Sequence, residues 1–336
     1  MSEGRSLGRE LMRAYRGGVT EMRYSGHAVA VCGRSVVSSV GDRELVVPMR
    51  STAKPFFALT LLNFSNICVS DEELALFSSS HNGESYHVNG IRDALSRRKM
   101  SPECLILGRH APIVSTVDFD PPPIHGMLAE PLQNNCSGKH AGLLILAQTL
   151  GQNTGTYRDP DGLALRQVDQ QMTTLAREVD SPIIRVGDGC GLPTYGLSLS
   201  GIAQAYASLV DPDASPNRQR LARAFVGHGY AVGGQDRLTT RLAADGILAK
   251  EGFDGLFVVA FVQDGLGCAI AVKIDSGSDR VASMFLENLV AMLNDQRPAA
   301  PPRHPIYDQS SRTVGEYVSA VGVVEEILAP FRKIAG

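Results

Sequence analysis

Apolar residues recur along this chain with two different periods. In residues 27–48, HAVAVCGRSVVSSVGDRELVVP, valine-rich runs flank Gly41-Asp42 and predict two strands joined as a hairpin. Residues 256–274, LFVVAFVQDGLGCAIAVKI, repeat that pattern around Asp264-Gly265, a strong two-residue turn signal. Between these regions the spacing becomes helical. Residues 52–64, TAKPFFALTLLNF, predict a helix that must begin near Ser51 or Thr52, because Pro55 is tolerated only in a first turn. Ser70 followed by Glu73 forms a capping box ahead of a short helix over 70–78. Further helices are predicted at 86–99, at 136–150 with Asn134 or Asn135 as cap, and at 162–179, 200–210, 217–230 and 280–295. A short helix closes the tail. Residues 78–87 read as a polar loop, 186–196 and 232–240 as glycine turns, Pro121–Pro123 as an irregular crossing and 297–305 as a linker.

Hairpins near both ends and helices between them predict an α+β fold. An antiparallel sheet built from both termini packs with helices, and a central helical lobe is inserted. The chain reads as a single domain over 1–336, with 1–50 and 251–336 forming the sheet region and 51–250 mostly helical. A hydrophobic content of 43% against 20% charged residues excludes a disordered chain. The net charge of −3 supplies no basic field for nucleic acid or a membrane surface. No apolar stretch reaches the roughly eighteen residues needed to span a bilayer. The first eighteen residues mix charges and lack an apolar signal core, so a cytoplasmic location is expected. Six widely spaced cysteines, at 32, 68, 104, 136, 190 and 268, are then expected as free thiols or in part as metal ligands.

Four segments could carry chemistry. In Arg50-Ser51-Thr52-Ala53-Lys54, a serine and a lysine three apart share one helical face, with Cβ atoms about 5–6 Å apart. A serine hydroxyl needs a base, and a lysine serves only when neutral, which burial or a nearby cation brings about. The same spacing recurs at Ser96-Arg97-Arg98-Lys99, but among charged neighbours that would keep the lysine solvated and protonated. The apolar residues after Lys54 favour Ser51. Ser78-Ser79-Ser80-His81-Asn82-Gly83-Glu84 places hydroxyls and an imidazole in a loop where Ser-x-x-Lys hydrolases keep a second polar triplet. Asn134-Asn135-Cys136-Ser137-Gly138-Lys139-His140 opens a helix, where the helix dipole favours a thiolate. Cys136 with His140 could form a thiolate–imidazole nucleophile. Alternatively, Cys136 and Lys139 could bind a metal, with a third ligand from Asp188-Gly189-Cys190-Gly191. Lys273 ends an apolar strand and is either a snorkelling edge residue or a second lysine of the site.

RSTAK (50–54), SSSHNGE (78–84), NNCSGKHAG (134–142), DGCGLP (188–193), GGQDRLTT (233–240) and AVK (271–273) occur in one order across most of the chain. Together they resemble the rhizobial-type asparaginase family, also called L-asparaginase II-like. The resemblance implies a serine β-lactamase/glutaminase-like fold, a homodimer, and hydrolysis of L-asparagine to aspartate and ammonia. It implies Ser51 with Lys54 as the first catalytic pair and Ser80 with Lys273 as the second. It implies Cys136, Lys139 and Cys190 as Zn2+ ligands, and Arg50, His81, Asn135, His140 and Asp188 as substrate-side residues. Residues 21–29, EMRYSGHAV, and the Gly-Leu-Pro-Thr run after Cys190 depart from the family pattern and bear on the substrate more than on the reaction. Three rivals stand beside this reading: a Cys136/His140 hydrolase, a lactam or peptide hydrolase on the Ser-x-x-Lys scaffold, and a non-catalytic zinc or amino-acid binding protein.

Overall fold

The computed structural model describes residues 8–108, 130–293 and 300–332. Pro121–Pro123, the end of the 280–295 helix and the first part of the 297–305 linker lie outside the described residues. In chain order the elements are β1 (Arg9–Arg16), β2 (Val19–Cys32), β3 (Ser35–Val40), β4 (Val46–Pro48), α1 (Lys54–Phe64), α2 (Asp71–Phe77), α3 (Ser85–Ser96), α4 (Ser137–Thr149) and α5 (Leu163–Glu178). Then follow β5 (Ile184–Gly187), β6 (Pro193–Ser198), α6 (Leu199–Val210), α7 (Pro216–Gly227), α8 (Gly229–Val232), α9 (Leu238–Ala244), β7 (Leu248–Glu251), β8 (Leu256–Gln263) and β9 (Leu266–Ile274). Last come α10 (Asp279–Leu293), β10 (His304–Tyr307), β11 (Thr313–Ser319) and α11 (Val323–Arg332).

The main sheet is antiparallel, ordered β10-β11-β1-β2-β9-β8-β7, with β3 also paired to β2. Strands from both ends of the chain therefore meet at β1–β11 and β2–β9. Alternate residues enter two cores, as the strand period of two requires. Val29, Val31, Val258 and Ala271 face the helical lobe of α1, α2 and α4 to α7. Ala28, Ala30, Val259 and Val272 face α10 and α11. Covering both faces explains why these antiparallel strands read as continuous apolar runs rather than clean alternation.

Asp264 and Gly265 carry the β8–β9 hairpin at φ +51° and +77°, the left-handed pair such a turn requires. The first hairpin differs from expectation. β2 turns at Gly33-Arg34, with Cys32 opposite Ser35. Gly41-Asp42 instead carries the chain out of the main sheet to β4, which pairs with β6 in a small second sheet of order β4-β6-β5. Ser70 and Glu73 form the expected reciprocal capping box. Helix α4 is capped differently, since Asn134 Oδ1 accepts from the Cys136 N–H at 2.9 Å and Cys136 itself is the N-cap.

The expectation of six free thiols is also corrected. Cys32 and Cys268 are directly opposed on β2 and β9 and form a disulfide. Strand register, invisible in the spacing, brings them together. Cys68, Cys104, Cys136 and Cys190 are free. Among the described residues no helix is long and apolar enough to cross a membrane.

Candidate active site

The segment from Arg50 to Ala53 is a tight 3-10 turn leading into α1, packed against β6 and β7. Arg50 enters it at φ +49°, a left-handed conformation that costs a non-glycine residue roughly 1 kcal/mol. The guanidinium is held from outside: Nε donates to Asp188 Oδ1 and Nη1 to Asp254 Oδ2, both at 2.9 Å, and the group lies over the Phe253 ring. This clamp fixes the backbone that presents Ser51, which is 4% exposed.

Three lysines are buried within this region: Lys54 at 0%, Lys250 at 1% and Lys139 at 2% exposure. An unpaired buried ammonium costs several kcal/mol, so each must be paired or shed its proton. Lys139 is paired: Nζ lies 3.0 Å from Asp188 Oδ2. Burial works against its charge, but Cys136, Cys190 and Asp188 outweigh burial and raise its pKa. Burial likewise pushes the Asp188 carboxyl up, yet Lys139, Lys54 and Arg50 hold it at about 2. Among the described residues neither Lys54 nor Lys250 is paired with a carboxylate. Both donate to one hydroxyl, Ser80 Oγ, at 2.9 and 2.7 Å. Lys54 also donates to the Asn135 carbonyl at 2.9 Å, and Lys250 to the Glu251 carbonyl at 3.0 Å. Burial lowers the pKa of Lys54, with Cys136 opposing and Lys139 reinforcing. Burial lowers Lys250 further, helped by Lys54 and Arg237. Two amines converging on one oxygen repel each other, so burial and mutual repulsion both disfavour the charged forms of this pair.

The expected Ser80–Lys273 pair is not formed. Lys273 Nζ donates to the carbonyls of Asp254 and Ile274, behind the Arg50 clamp. It points to the same sheet face as Lys250, but from β9, two strands away from β7. Lys250 stands where the second lysine was expected. In the first pair, Lys54 bonds Ser80 and Asn135 rather than Ser51.

His81 is buried with a defined tautomer. Its Nδ1 accepts from the Gly83 N–H at 3.0 Å, so Nε2–H faces Ser137 Oγ at 2.9 Å. His140 Nδ1 lies 2.7 Å from the Tyr157 hydroxyl, and burial lowers the imidazole well below its ordinary value, assisted by Lys139, Arg158 and Lys54. Cys136 is hydrogen-bonded to Cys190, not to His140, so the thiolate–imidazole dyad is absent. That sulfur contact lowers Cys136 and raises Cys190, because one proton is shared between them. Lys139 and Asp188 complete the group, with Cys190 Sγ 3.8 Å from Asp188 Oδ2. Among the described residues no set of three His, Cys, Asp or Glu is arranged to hold a metal ion. A metal here would rest on the two sulfurs and the Lys139 amine. The sulfurs suit a soft cation, while the amine must first give up its proton and its Asp188 partner.

Sequence reading missed Lys250, Glu251, Arg237 and the role of Asn82. Ser80 N–H and Asn82 N–H bond the carbonyls of Val232 and Gly233, each at 3.0 Å, so the 78–84 loop runs beside the glycine turn that precedes Arg237. No curated protein matches the chain significantly. A scan of protein families matches L-asparaginase II over residues 12–321, and the matched span includes every residue of this site. The chain belongs to the L-asparaginase II family.

Proposed function

We propose that the protein is an amidohydrolase that converts L-asparagine to L-aspartate and ammonia through an acyl-enzyme on Ser51. The observation that carries this reading is the convergence of two buried lysines on Ser80, beside a serine held by a strained, clamped residue. Family membership supports the reaction class and the substrate.

In the proposed reaction, the Ser51 hydroxyl attacks the side-chain amide carbon and passes its proton to neutral Lys54. For this the Lys54 amine turns from Ser80 toward Ser51, its neighbour on the first turn. The developing oxyanion is held by backbone N–H groups near Ser51 or the 233–236 turn. The C–N bond then breaks, and the nitrogen takes a proton delivered through Ser80 from the lysine pair and leaves as ammonia. Water adds to the ester, gives a proton to the same amines, and aspartate is released with Ser51 restored. Arg50, Asp188, His140, Asn135 and His81 shape the substrate side. Asp188, anionic between two cations, suits a substrate ammonium.

Cys136, Lys139 and Cys190 would hold Zn2+, which when bound supplies positive charge that orients substrate. Two thiolates reduce its strength as a Lewis acid. The homodimer and the lactamase/glutaminase-like fold implied by the resemblance belong to this proposal as well.

A second reading makes Ser80 the nucleophile, because both amines already bond its hydroxyl. One experiment separates the two. Ammonia release from asparagine, glutamine and other β-amides is measured for wild type, Ser51→Ala and Ser80→Ala, with intact-protein mass spectrometry of the acyl adduct. We expect asparagine turnover and its complete loss in Ser51→Ala, with no adduct. Wild-type turnover in Ser51→Ala sinks the Ser51 assignment, and an adduct retained there but lost in Ser80→Ala selects the second reading. Metal content and zinc-dependent melting of the same preparations, compared with Cys136→Ser, test the zinc site without reference to activity.

A further inference from the structure

Arg237 precedes α9, and only 11% of its side chain is exposed. A guanidinium so enclosed is costly unless its donors are matched. Nε donates to Glu251 Oε1 at 3.2 Å, Nη2 donates to Glu251 Oε2, and Nη1 reaches Asn82 Oδ1 at 3.4 Å. Glu251 follows Lys250 on β7, and its carbonyl accepts from Lys250 Nζ at 3.0 Å. Asn82 lies two residues beyond Ser80, and its Nδ2 donates to the Gln235 carbonyl at 3.0 Å. Ser80, Lys250, Glu251, Arg237 and Asn82 therefore form a ring closed through the loop backbone. Arg237 joins the strand that carries the amine to the loop that carries the hydroxyl.

We propose that Arg237 is a positioning residue for the Ser80–Lys250 pair, fixing the distance between the two groups and setting a permanent positive charge beside the amine. The proposal rests on the reading of Ser80 and Lys250 as the second catalytic pair. The charged and titratable groups around Lys250 are Lys54 from α1, Cys136 and Lys139 at α4, Arg237 ahead of α9, and Glu251 on its own strand. Burial disfavours the ammonium, and Lys54 and Arg237 reinforce burial, as Lys139 does more weakly, while Cys136 opposes. Removing the guanidinium takes away one cation and leaves Glu251 uncompensated. Both changes stabilise a proton on Lys250. Arg237 touches no reacting atom in this scheme, so its influence on the chemistry passes through Lys250 and Ser80.

The test compares the full-length wild type with Arg237→Met, Arg237→Lys and Lys250→Met, measuring ammonia release from asparagine from acid to alkaline pH. For folded Arg237→Met we expect kcat to fall at least about tenfold with KM changed far less, and the acidic limb of the kcat profile to move up by about one pH unit. Arg237→Lys keeps the charge but loses the fork, so its limb returns to the wild-type position with partial recovery of kcat. A role in folding alone would lower active protein at every pH and leave the limb in place. Unchanged kcat and an unmoved limb in Arg237→Met overturn the proposal. Should that variant fail to fold, Arg237→Lys decides: kcat reduced per folded active site, with KM kept and the melting temperature near wild type, supports the proposal, and wild-type kcat per folded active site overturns it. Wild-type turnover in Lys250→Met would instead remove the underlying second pair, a failure distinct from an inert Arg237.

Discussion

At the scale of single residues, the site is governed by how three buried amines resolve their charge. Lys139 keeps its proton because Cys136, Cys190 and Asp188 together answer it. Among the described residues Lys250 has only a hydroxyl and a carbonyl as partners, and burial depresses it well below the ordinary lysine value. The unfolded chain takes up a proton at this lysine below about pH 10.5, where the native state does not. Between the depressed native value and that ordinary value the unfolded state binds more protons, so stability rises with pH across this window. Lys250→Met removes the penalty and keeps the volume. We expect it to lose turnover by at least about a hundredfold, yet to melt higher than wild type at pH 7, with the advantage shrinking toward pH 10. A variant that melts lower at pH 7 would show that the buried amine stabilises the fold. The expectation follows the usual conflict between a site's chemistry and the stability of its host.

At the scale of elements, short segments carry the chemistry because longer ones hold them. β7 is four residues, Leu-Ala-Lys-Glu, of which alanine, lysine and glutamate have weak intrinsic strand preference. It is a strand because β8 pairs with it, Lys250 opposite Val258. Helix α4 meets the end of α2 just as closely. A Cβ at Gly138 would lie 1.9 Å from the Leu76 carbonyl oxygen and 3.0 Å from Ser79 Oγ. This contact seats Cys136 and Lys139 beside the Ser78–Ser80 segment. Alanine there would gain about 1 kcal/mol of helix propensity. The clash is with backbone, which cannot swing aside, and overpacking typically costs about 1–3 kcal/mol. Gly138→Ala is therefore expected to lower stability in urea denaturation and to reduce turnover together. A more stable, fully active variant would refute this account of the helix contact.

At the scale of the whole molecule, the sheet joins the two ends of the chain, and the Cys32–Cys268 bond spans 236 residues of sequence across β2 and β9. Cross-linking so distant a pair restricts the unfolded chain, and losing such a bond typically costs about 2–5 kcal/mol. Cys268 lies three residues along β9 from Ala271, which is two strands across from Lys250, so the link is set apart from the cluster. The Cys32→Ser/Cys268→Ser double variant should melt lower with kcat little altered. Thiol titration of the denatured wild type should find four groups before reduction and six after it. Six before reduction would mean that the bond is not formed.

The sequence determined what local spacing can encode. Helical period and a first-turn proline located the Ser51–Lys54 turn, Asp264-Gly265 located a hairpin, and Ser70 with Glu73 located a cap. Hairpins at both ends and helices between them implied the antiparallel sheet and its helical cover. Partnerships across the sheet were decided only by the tertiary structure. Lys273 ended an obvious apolar strand and drew attention, while Lys250 sat in a segment too short and too polar to read as one. Both face the same side of the sheet, and strand order alone puts Lys250 over Ser80. Register likewise joined two cysteines that their spacing kept apart. Local patterns express the preferences of adjacent residues, whereas the site is made of groups whose charge and contacts exist only once distant strands have paired and excluded water.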